Sequence, residues 1–188
     1  AYVNYDKRIG EIINLLDGSV PKTLDLKQKG SFVIGYYQQR QKLFEKKNKD
    51  EPKKEWPARL DESKMSKPYN LGRLFSVLEL VQQDSADEKL NTTIKDRYFS
   101  SAAAAPGKVY SQLLMLSKYH LRKLQRKNYG TYVYFKELIK LLTDRLDGFY
   151  PKGMDTDEQC EFMIGYYQQR EKLFEKKRDQ DVEGGTEE

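Results

Sequence analysis

Residues 162–177 read FMIGYYQQREKLFEKK, and residues 32–47 read FVIGYYQQRQKLFEKK. Shifting the chain by 130 residues lays Tyr2–Lys47 over Tyr132–Lys177 without a gap, and about half of the aligned positions are identical. Solenoid repeats have periods of roughly 20–50 residues and several copies, so this single, far longer period excludes that class. The pattern indicates one complete domain that is preceded by a second copy of its C-terminal part.

The composition limits the class of protein. With 188 residues, of which 34% are charged and 38% hydrophobic, the chain can build a helical core but not a large two-layer α/β domain. No apolar run approaches the roughly 20 residues that span a bilayer, so we expect no membrane partner. The lone cysteine, Cys160, excludes an internal disulfide, and no signal peptide is visible. We expect a cytoplasmic protein.

The spacing of apolar residues predicts helices throughout. In NLGRLFSVLELVQQ, residues 70–83, five apolar residues fall on one face at helical spacing, and Asn70 is well placed as the N-cap. We therefore expect an all-α protein with a bundle of about five helices over residues 70–178. The four later helices are predicted at residues 91–105, Pro106 to about Asn128, Tyr132–Asp147, and Thr156 to about Arg178.

The remaining segments differ in composition from the predicted bundle. Residues 2–47 predict a helical hairpin that repeats the last two helices of the bundle. Residues 48–69 hold three prolines and many charges, which predicts a linker. Residues 179–188 carry a net charge of −5 and few apolar side chains, which predicts a disordered acidic tail.

The last helix of each repeat has two local signatures. Its first turn can form a capping box, in which a cap and a reciprocating side chain lie three residues apart. A glycine inside the helix, Gly35 in one copy and Gly165 in the other, costs about 1 kcal/mol relative to alanine, so we expect another helix to approach closely at both glycines. The predicted capping pairs are Asp25 with Gln28 and Asp155 with Glu158.

The third predicted helix of the bundle is strongly basic. Residues 106–128 hold six Lys or Arg residues and no Asp or Glu, and Lys118, Arg122 and Arg126 form a single stripe at i, i+4 and i+8. Like charges at this spacing repel by roughly 0.2–0.5 kcal/mol each, so the stripe favours an anionic ligand such as the phosphates of a nucleic-acid strand. The alternative is a solvated helix face whose cations interact with the C-terminal end of the helix dipole.

Further cations surround this stripe, because residues 89–145 carry a local net charge of +9, which indicates a polyanionic partner. The second-rank candidates for phosphate contacts are Lys123, Lys127, Arg97, Lys95 and Lys108. The last three flank the alanines at 102–105, whose small side chains could admit a nucleic-acid strand or another helix backbone. The alternative is a tightly packed helix end at which Asp96 pairs locally, and the sequence does not choose between the two.

The hexamer GYYQQR could form a platform on which nucleic-acid bases stack. At helical spacing, however, Tyr166 lies on the same side as the apolar Phe162 and Leu173, so we expect Tyr166 in the core. Packing and assembly are therefore favoured over base stacking. The candidates for an assembly interface are Tyr167, Gln169 and Arg170, with Tyr37, Gln39 and Arg40 in the first copy. Of these, Gln169 and Arg170 could bond either to a neighbouring helix or to a neighbouring subunit.

The residues needed for catalysis or metal binding are scarce in this sequence. His120 is the one histidine, and it falls on an apolar helical face, where we expect a core or interface residue. Cys160 has no second cysteine with which to form a metal site, and no Gly-rich phosphate-binding loop is present. We expect no enzymatic activity, no cofactor and no metal.

Four motifs occur in an order and spacing that are typical of a known family: NLGRLFSVLE, TTIKDRYFSSAAAAP, YSQLLMLSKYHLRKL and FMIGYYQQREKLF. Together they resemble the C-terminal region of the large subunit of the type I-C CRISPR surveillance complex, Cascade. That region is similar to a separately translated small subunit of the complex. The resemblance covers Tyr69–Lys177, whereas Tyr2–Lys47 matches only the last two helices of the region. The part of the large subunit that recognises the PAM has no counterpart here, so we expect no PAM reading.

The resemblance implies an all-helical small-subunit bundle with no chemistry of its own, which lines the guide RNA filament and helps to hold the opened target DNA. The implied partners are the target and displaced DNA strands and the other Cascade subunits, and additional copies of the chain stay open as partners. We expect sequence-independent binding to the nucleic-acid backbone that stabilises the R-loop. Two alternatives remain: an assembly module that never contacts nucleic acid, and a decoy that blocks assembly of the complex.

Overall fold

The computed structural model describes residues 2–16, 21–44, 60–63, 66–88 and 90–183. Every regular element in these ranges is helical, which confirms the all-α class. The last five α-helices form the predicted bundle. A short 3-10 turn separates α4 from α5. The helices are α1 (Tyr2–Leu15), α2 (Leu26–Phe44), α3 (Lys67–Ser85), α4 (Ile94–Ala104), α5 (Tyr110–Lys127), α6 (Tyr129–Arg145) and α7 (Thr156–Glu183).

Helix α3 is the centre of the bundle. Its residues 69–81 are all buried, and α4, α5, α6 and α7 pack around it. A helix that is covered on every side has no solvent-facing stripe. The prediction of one apolar face on this helix therefore underestimates how much of its surface is buried. Asn70, Arg73 and Glu79 are as buried as the neighbouring leucines, and their polar groups need hydrogen-bond partners inside the bundle.

The start of α3 also differs from the prediction. The helix begins at Lys67, with Pro68 in its first turn, where the missing N–H of proline has no helical partner to lose. Asn70 is therefore not the N-cap, and its side-chain Nδ2 instead donates to the carbonyl of Ser66 at 3.0 Å. The helix predicted from Pro106 is divided as well, because Pro106–Lys108 forms the separate 3-10 turn before α5.

Two glycines allow α3 and α7 to cross at very short range. A Cβ atom built at Gly165 would overlap the carbonyl oxygen of Tyr69, and one built at Gly72 would overlap the carbonyl oxygen of Phe162. The predicted close approach at Gly165 is confirmed. The same prediction for Gly35 is wrong, since among the described residues no atom lies within 4 Å of a Cβ built there. Helix α2 therefore lacks the partner that α3 provides for α7.

Both predicted capping boxes are present. At α7, the N–H of Glu158 donates to Asp155 Oδ1 and the N–H of Asp155 donates to Glu158 Oε2, each at 2.9 Å. At α2, Asp25 and Gln28 exchange the same two hydrogen bonds at 2.7 and 3.0 Å. The reciprocal bonds satisfy N–H groups that the first turn of a helix leaves without partners, so the two copies start their last helix in the same way.

Helix α2 of the N-terminal copy packs against α7, whereas α1 forms no comparable packing with any described helix. Tyr37 and Ile34 of α2 lie in one apolar cluster with Cys160 of α7. Of the predicted linker, residues 48–59 and 64–65 lie outside the described residues, and residues 67–69 belong to α3. Of the predicted disordered tail, residues 179–183 form the end of α7 and residues 184–188 lie outside the described residues. The division into domains stays a prediction. In the described part of the chain, no helix combines the length and the hydropathy that crossing a lipid bilayer requires.

Candidate nucleic-acid interface

Helix α5 has a buried side and an exposed side. Leu113, Ser117 and Leu124 are buried against the bundle. Residues three and four apart share a side of a helix, so Lys118, Arg122 and Arg126 run along the side opposite to the buried residues. With two neighbouring cations they form what we call the basic face, whose members are all exposed: Lys118, Arg122, Lys123, Arg126 and Lys127.

Carboxylates neutralise little of the basic face. Lys127 Nζ lies 3.4 Å from Asp87 Oδ1 and donates to the carbonyl of Ala86 at 2.9 Å. An exposed ion pair of this kind contributes about 0–1 kcal/mol. Within the described ranges, no carboxylate forms an ion pair with any of the other four cations. Most of the positive charge on α5 is therefore not offset by the bundle itself.

An exposed aromatic side chain, which the spacing of the cations did not reveal, lies beside them. Tyr119 is 59% exposed, and the ammonium of Lys123 lies 5.4 Å from the centroid of its ring. Exposed rings beside cations are the surfaces on which single-stranded nucleic acids stack their bases. The sequence could have indicated this ring. Tyr119 lies three residues before Arg122, and helical spacing places both on the same side of α5.

A shallow depression lies between the C-terminal end of α5 and the end of α3. Three cations and one carboxylate give it a net positive charge, which suits an anionic group such as a phosphate. The depression touches the basic face directly, since three of its lining residues belong to it. The lining residues are Ser85, Asp87, Lys123, Arg126 and Lys127.

His120 ties α5 to the end of α3. Its Nδ1 lies 2.8 Å from Ser85 Oγ, and its ring is half-buried, as expected for an interface residue. Burial, and after it the charge of Lys123, lowers the pKa of His120, so the neutral form is favoured at pH 7. No three His, Cys, Asp or Glu side chains of the described residues are grouped so that they could hold a metal ion.

The alanines at the end of α4 divide into a buried and an open pair. Ala102 and Ala103 are buried, whereas Ala104 and Ala105 line an open depression together with Lys108. Asp96 forms a capping box with Thr93, and the backbone hydrogen bond from Thr93 lowers the pKa of the Asp96 carboxyl. The predicted local pairing of Asp96 is thus present, and a strand-binding role for the open pair stays a prediction.

The three cations near the alanines do not act as one group. Arg97 and Lys108 are exposed, whereas the ammonium of Lys95 lies 4.8 Å from the ring centroid of Tyr166 and 5.2 Å from that of Tyr167. Burial lowers the pKa of Lys95, and cation–π contacts of this kind contribute about 0.5–2 kcal/mol. The structure thus corrects the position of Lys95, which contacts α7 and lies apart from the basic face.

Gln169 of the GYYQQR hexamer is an internal residue. Its side-chain oxygen accepts a hydrogen bond from Arg73 Nε at 2.9 Å, and Arg73 Nη1 donates to Asn70 Oδ1 at 3.3 Å. Arg73 is 1% exposed, and this burial lowers its pKa. Gln169 therefore bonds to the neighbouring helix α3, which is one of the two alternatives that the sequence left open.

Arg170 also serves the bundle. Glu79 of α3 is buried, and its Oε2 accepts hydrogen bonds from the Tyr166 hydroxyl and from Arg170 Nη1, both at 2.6 Å. A buried carboxylate without such partners is strongly destabilising. Tyr166 is fully buried, which confirms the predicted core position, and burial followed by Glu79 raises the pKa of its hydroxyl. Arg170 therefore also bonds to the neighbouring helix α3, the same alternative as for Gln169.

The other four predicted assembly residues divide by exposure. Tyr167 is half-buried and Tyr37 is buried where α2 and α7 meet, so both contribute to a contact within the chain. Gln39 and Arg40 are exposed, and Arg40 Nη1 donates to the hydroxyl of Tyr36 at 3.2 Å. An assembly role for Gln39 and Arg40 stays a prediction.

Comparison with protein families defines the class to which this helical bundle belongs. Residues 1–44 and residues 43–174 match a family of CRISPR-associated proteins. Because the matched residues span most of the chain, the protein belongs to that family, which is described as CRISPR-associated protein (Cas_Csd1). No curated protein sequence matches the chain.

Proposed function

We propose that this chain is a non-catalytic, small-subunit-like component of a type I-C CRISPR interference complex, and that it binds the nucleic-acid backbone to stabilise the R-loop. Membership of the Cas_Csd1 family supports a place among CRISPR proteins. The nucleic-acid part of the proposal rests on one observation: four exposed cations of the basic face form no ion pair in the described part of the chain.

The proposed mechanism is neutralisation of phosphate charge. Each Lys or Arg that contacts a phosphate releases condensed counterions, and this contribution to affinity does not depend on base sequence. Pairing with the guide RNA supplies sequence specificity in such complexes. Tyr119 adds a ring on which an unpaired base can stack, so the basic face suits a separated DNA strand better than a closed duplex.

The salt dependence of binding to single-stranded DNA tests this mechanism. We expect the combined substitutions Lys118→Ala, Arg122→Ala and Arg126→Ala to weaken binding and to reduce the slope of log K against log salt by roughly 0.7 for each lost phosphate contact. The matched control replaces three exposed lysines outside α5, Lys136, Lys140 and Lys152, and removes the same charge. An unchanged slope in the first variant, or an equal change in both, would contradict the proposal.

Tyr119 provides an independent test of base stacking. We expect Tyr119→Ala to weaken binding to single-stranded DNA by about 1–3 kcal/mol and to leave the salt slope nearly unchanged, because a stacked base is lost but no phosphate contact. Tyr129→Ala, at another exposed tyrosine, is the control. Equal affinities of the Tyr119 variant and the unsubstituted protein would remove stacking from the mechanism.

A second candidate function is a decoy that competes for a docking position in the complex. It is favoured by the exposed side of α2, where Phe32 and Tyr36 are open to solvent. Adding the chain to an interference complex that lacks its small subunit separates the possibilities. A subunit restores DNA binding, an assembly module restores assembly alone, and a decoy suppresses both.

A further inference from the structure

Helix α7 is packed between two other helices. Phe162 and Tyr166 contact Phe75 of α3, whereas Ile164 and Tyr167 line the contact with α2. Helical spacing places these two pairs on opposite sides of α7. Since α2 repeats the sequence of α7, it carries the same two surfaces.

The contact between α2 and α7 uses equivalent residues on both sides. The shift of 130 residues pairs Gly30 with Cys160 and Tyr37 with Tyr167. A Cβ atom built at Gly30 would lie 3.8 Å from the Cβ of Tyr167, and Tyr37 is buried beside Cys160. Tyr37 thus contacts Cys160, and Tyr167 contacts Gly30, which is the counterpart of Cys160 in the first copy. Equivalent surfaces that exchange contacts in this way are related by a local two-fold axis.

The far side of α2 consequently corresponds to the side of α7 that holds α3. On α7 that side is fully covered, because Phe162 and Tyr166 are both 0% exposed. On α2 their counterparts Phe32 and Tyr36 are 64% and 49% exposed. Gly35 lies at the edge of this side, where it also lines a depression shared with α7, and no described atom comes within 4 Å of a Cβ built there. The surface that receives α3 is thus present on α2, and no described helix occupies it.

Helix α1 shows the same contrast with α6. Leu142 of α6 and Leu146, directly after α6, are 0% exposed, since α3 and α5 pack against α6. Their counterparts, Ile12 of α1 and Leu16 directly after α1, are 54% and 45% exposed. The described residues thus leave exposed, in both α1 and α2, apolar positions that are buried in the complete bundle.

We propose that this surface of α2, formed by Phe32, Gly35, Tyr36 and Gln39, binds a helix of the α3 type that belongs to a second protein. The bound helix crosses α2 at Gly35, as α3 crosses α7 at Gly165, and α2 thereby takes the place of α7 in a second bundle. The two bundles then share the contact between α2 and α7 and are related by its local two-fold axis.

The chemistry of the occupant follows from the way α3 is recognised. The occupant needs a glycine at the crossing, because Gly72 lies against the backbone of α7. It needs an arginine in the next position, because Arg73 is the donor to Gln169, and Gln39 repeats that acceptor in α2. These requirements describe a helix with the pattern Asn-Leu-Gly-Arg-Leu-Phe.

The occupant is a separate protein and not another copy of this chain. In each copy α3 is already covered by its own bundle, with residues 69–81 buried. The fitting partner carries helices of the α3–α5 type that have no closing hairpin of their own. No residue of the basic face takes part, so this interaction and the DNA binding proposed above succeed or fail independently.

A peptide with the sequence of α3, residues 67–85, is a suitable probe. We expect the fluorescently labelled peptide to bind the unsubstituted chain, as measured by anisotropy. Gly35→Leu should weaken binding by about tenfold or more, because a side chain at the crossing forces the helices apart. Gly10→Leu is the matched control, since Gly10 also lies in a helix, has open space around it and corresponds to the exposed Lys140.

The folding of each variant is checked first by far-UV circular dichroism and thermal unfolding, and we expect both variants to fold because no described atom lies within 4 Å of a Cβ built at either glycine. Absence of peptide binding to the unsubstituted chain overturns the proposal. So does binding that Gly35→Leu leaves unchanged, since the peptide then occupies another surface. Self-association of the chain without peptide, abolished by Gly35→Leu, overturns the choice of occupant in favour of a second copy.

Discussion

Helices α2 and α7 share the hexamer GYYQQR and begin with the same type of capping box, but their surroundings differ. In α7 the hexamer crosses α3 at Gly165, buries Tyr166 and pairs Gln169 with Arg73. In α2 the corresponding residues face solvent or open space. The hexamer thus determines which partner helix α2 or α7 can accept, whereas the burial of its side chains depends on the presence of that partner.

The two crossing glycines should differ most in their tolerance of a side chain. We expect Gly165→Leu to destabilise the protein by more than about 4 kcal/mol, because the side chain overlaps the backbone of α3. Gly35→Leu should be neutral or stabilising by up to about 1 kcal/mol, since the helix gains propensity without a clash. Urea unfolding followed by circular dichroism measures both. Similar losses in both variants would show that α2 is covered in solution.

The two arginines of the hexamer should differ nearly as much. Arg170→Ala leaves the buried Glu79 without its cation, and removing one member of a buried ion pair costs about 3–5 kcal/mol. Arg40→Ala, at an exposed position, should change the free energy of unfolding by less than about 0.5 kcal/mol. Denaturant unfolding of the two variants is compared with the unsubstituted protein. A small loss for Arg170→Ala would mean that water or another cation replaces the guanidinium beside Glu79.

The glutamines that precede these arginines should show a smaller difference. Gln169→Ala removes the acceptor of the buried Arg73 Nε, and a buried donor without a partner costs about 1–3 kcal/mol. Gln39→Ala should again remain within about 0.5 kcal/mol. The same unfolding measurement applies. We expect the loss of unfolding free energy to be largest for Arg170→Ala, smaller for Gln169→Ala and smallest for Arg40→Ala and Gln39→Ala. A larger loss for Gln169→Ala than for Arg170→Ala would contradict this order and would mean that satisfying Arg73 stabilises the protein more than satisfying Glu79 does.

The smallest expected effect concerns the pH dependence of stability. The pKa of Tyr166 is raised in the folded protein, whereas an unfolded tyrosine ionises near pH 10. Above about pH 10 the unfolded chain loses a proton that the folded chain keeps, so stability falls as the pH rises. Tyr166→Phe should make this fall shallower in denaturant titrations between about pH 9 and 11. Tyr36→Phe is the matched control, and equal effects of the two substitutions would contradict the difference in burial.

Local features of the fold could be predicted from the sequence, because they depend on neighbouring residues. The capping boxes need only residues three positions apart, and the core position of Tyr166 follows from helical spacing. The burial of Arg73 and Glu79 could not be predicted in this way, since their partners Gln169 and Arg170 lie nearly a hundred residues away. Arg73 and Glu79 interrupt the apolar pattern of α3, and those distant partners satisfy both of them.

The candidate interface shows the same limit. The spacing of Lys118, Arg122 and Arg126 predicted a continuous stripe, because all three lie on one helix. Lys95 could not be assigned by spacing, since its ammonium reaches rings of α7 that only tertiary packing brings near. The prediction at Gly35 failed for a related reason: an identical hexamer predicts an identical neighbour, and the structure supplies that neighbour only once.

The complete burial of α3 has a consequence for the order in which the protein is made. Helix α3 ends at residue 85 and α7 begins at residue 156, so a ribosome finishes α3 well before the helix that covers it. At about 5–20 residues per second, the delay lasts on the order of several seconds. During that time the nascent chain already contains one helix with the matching hexamer, and that helix is α2.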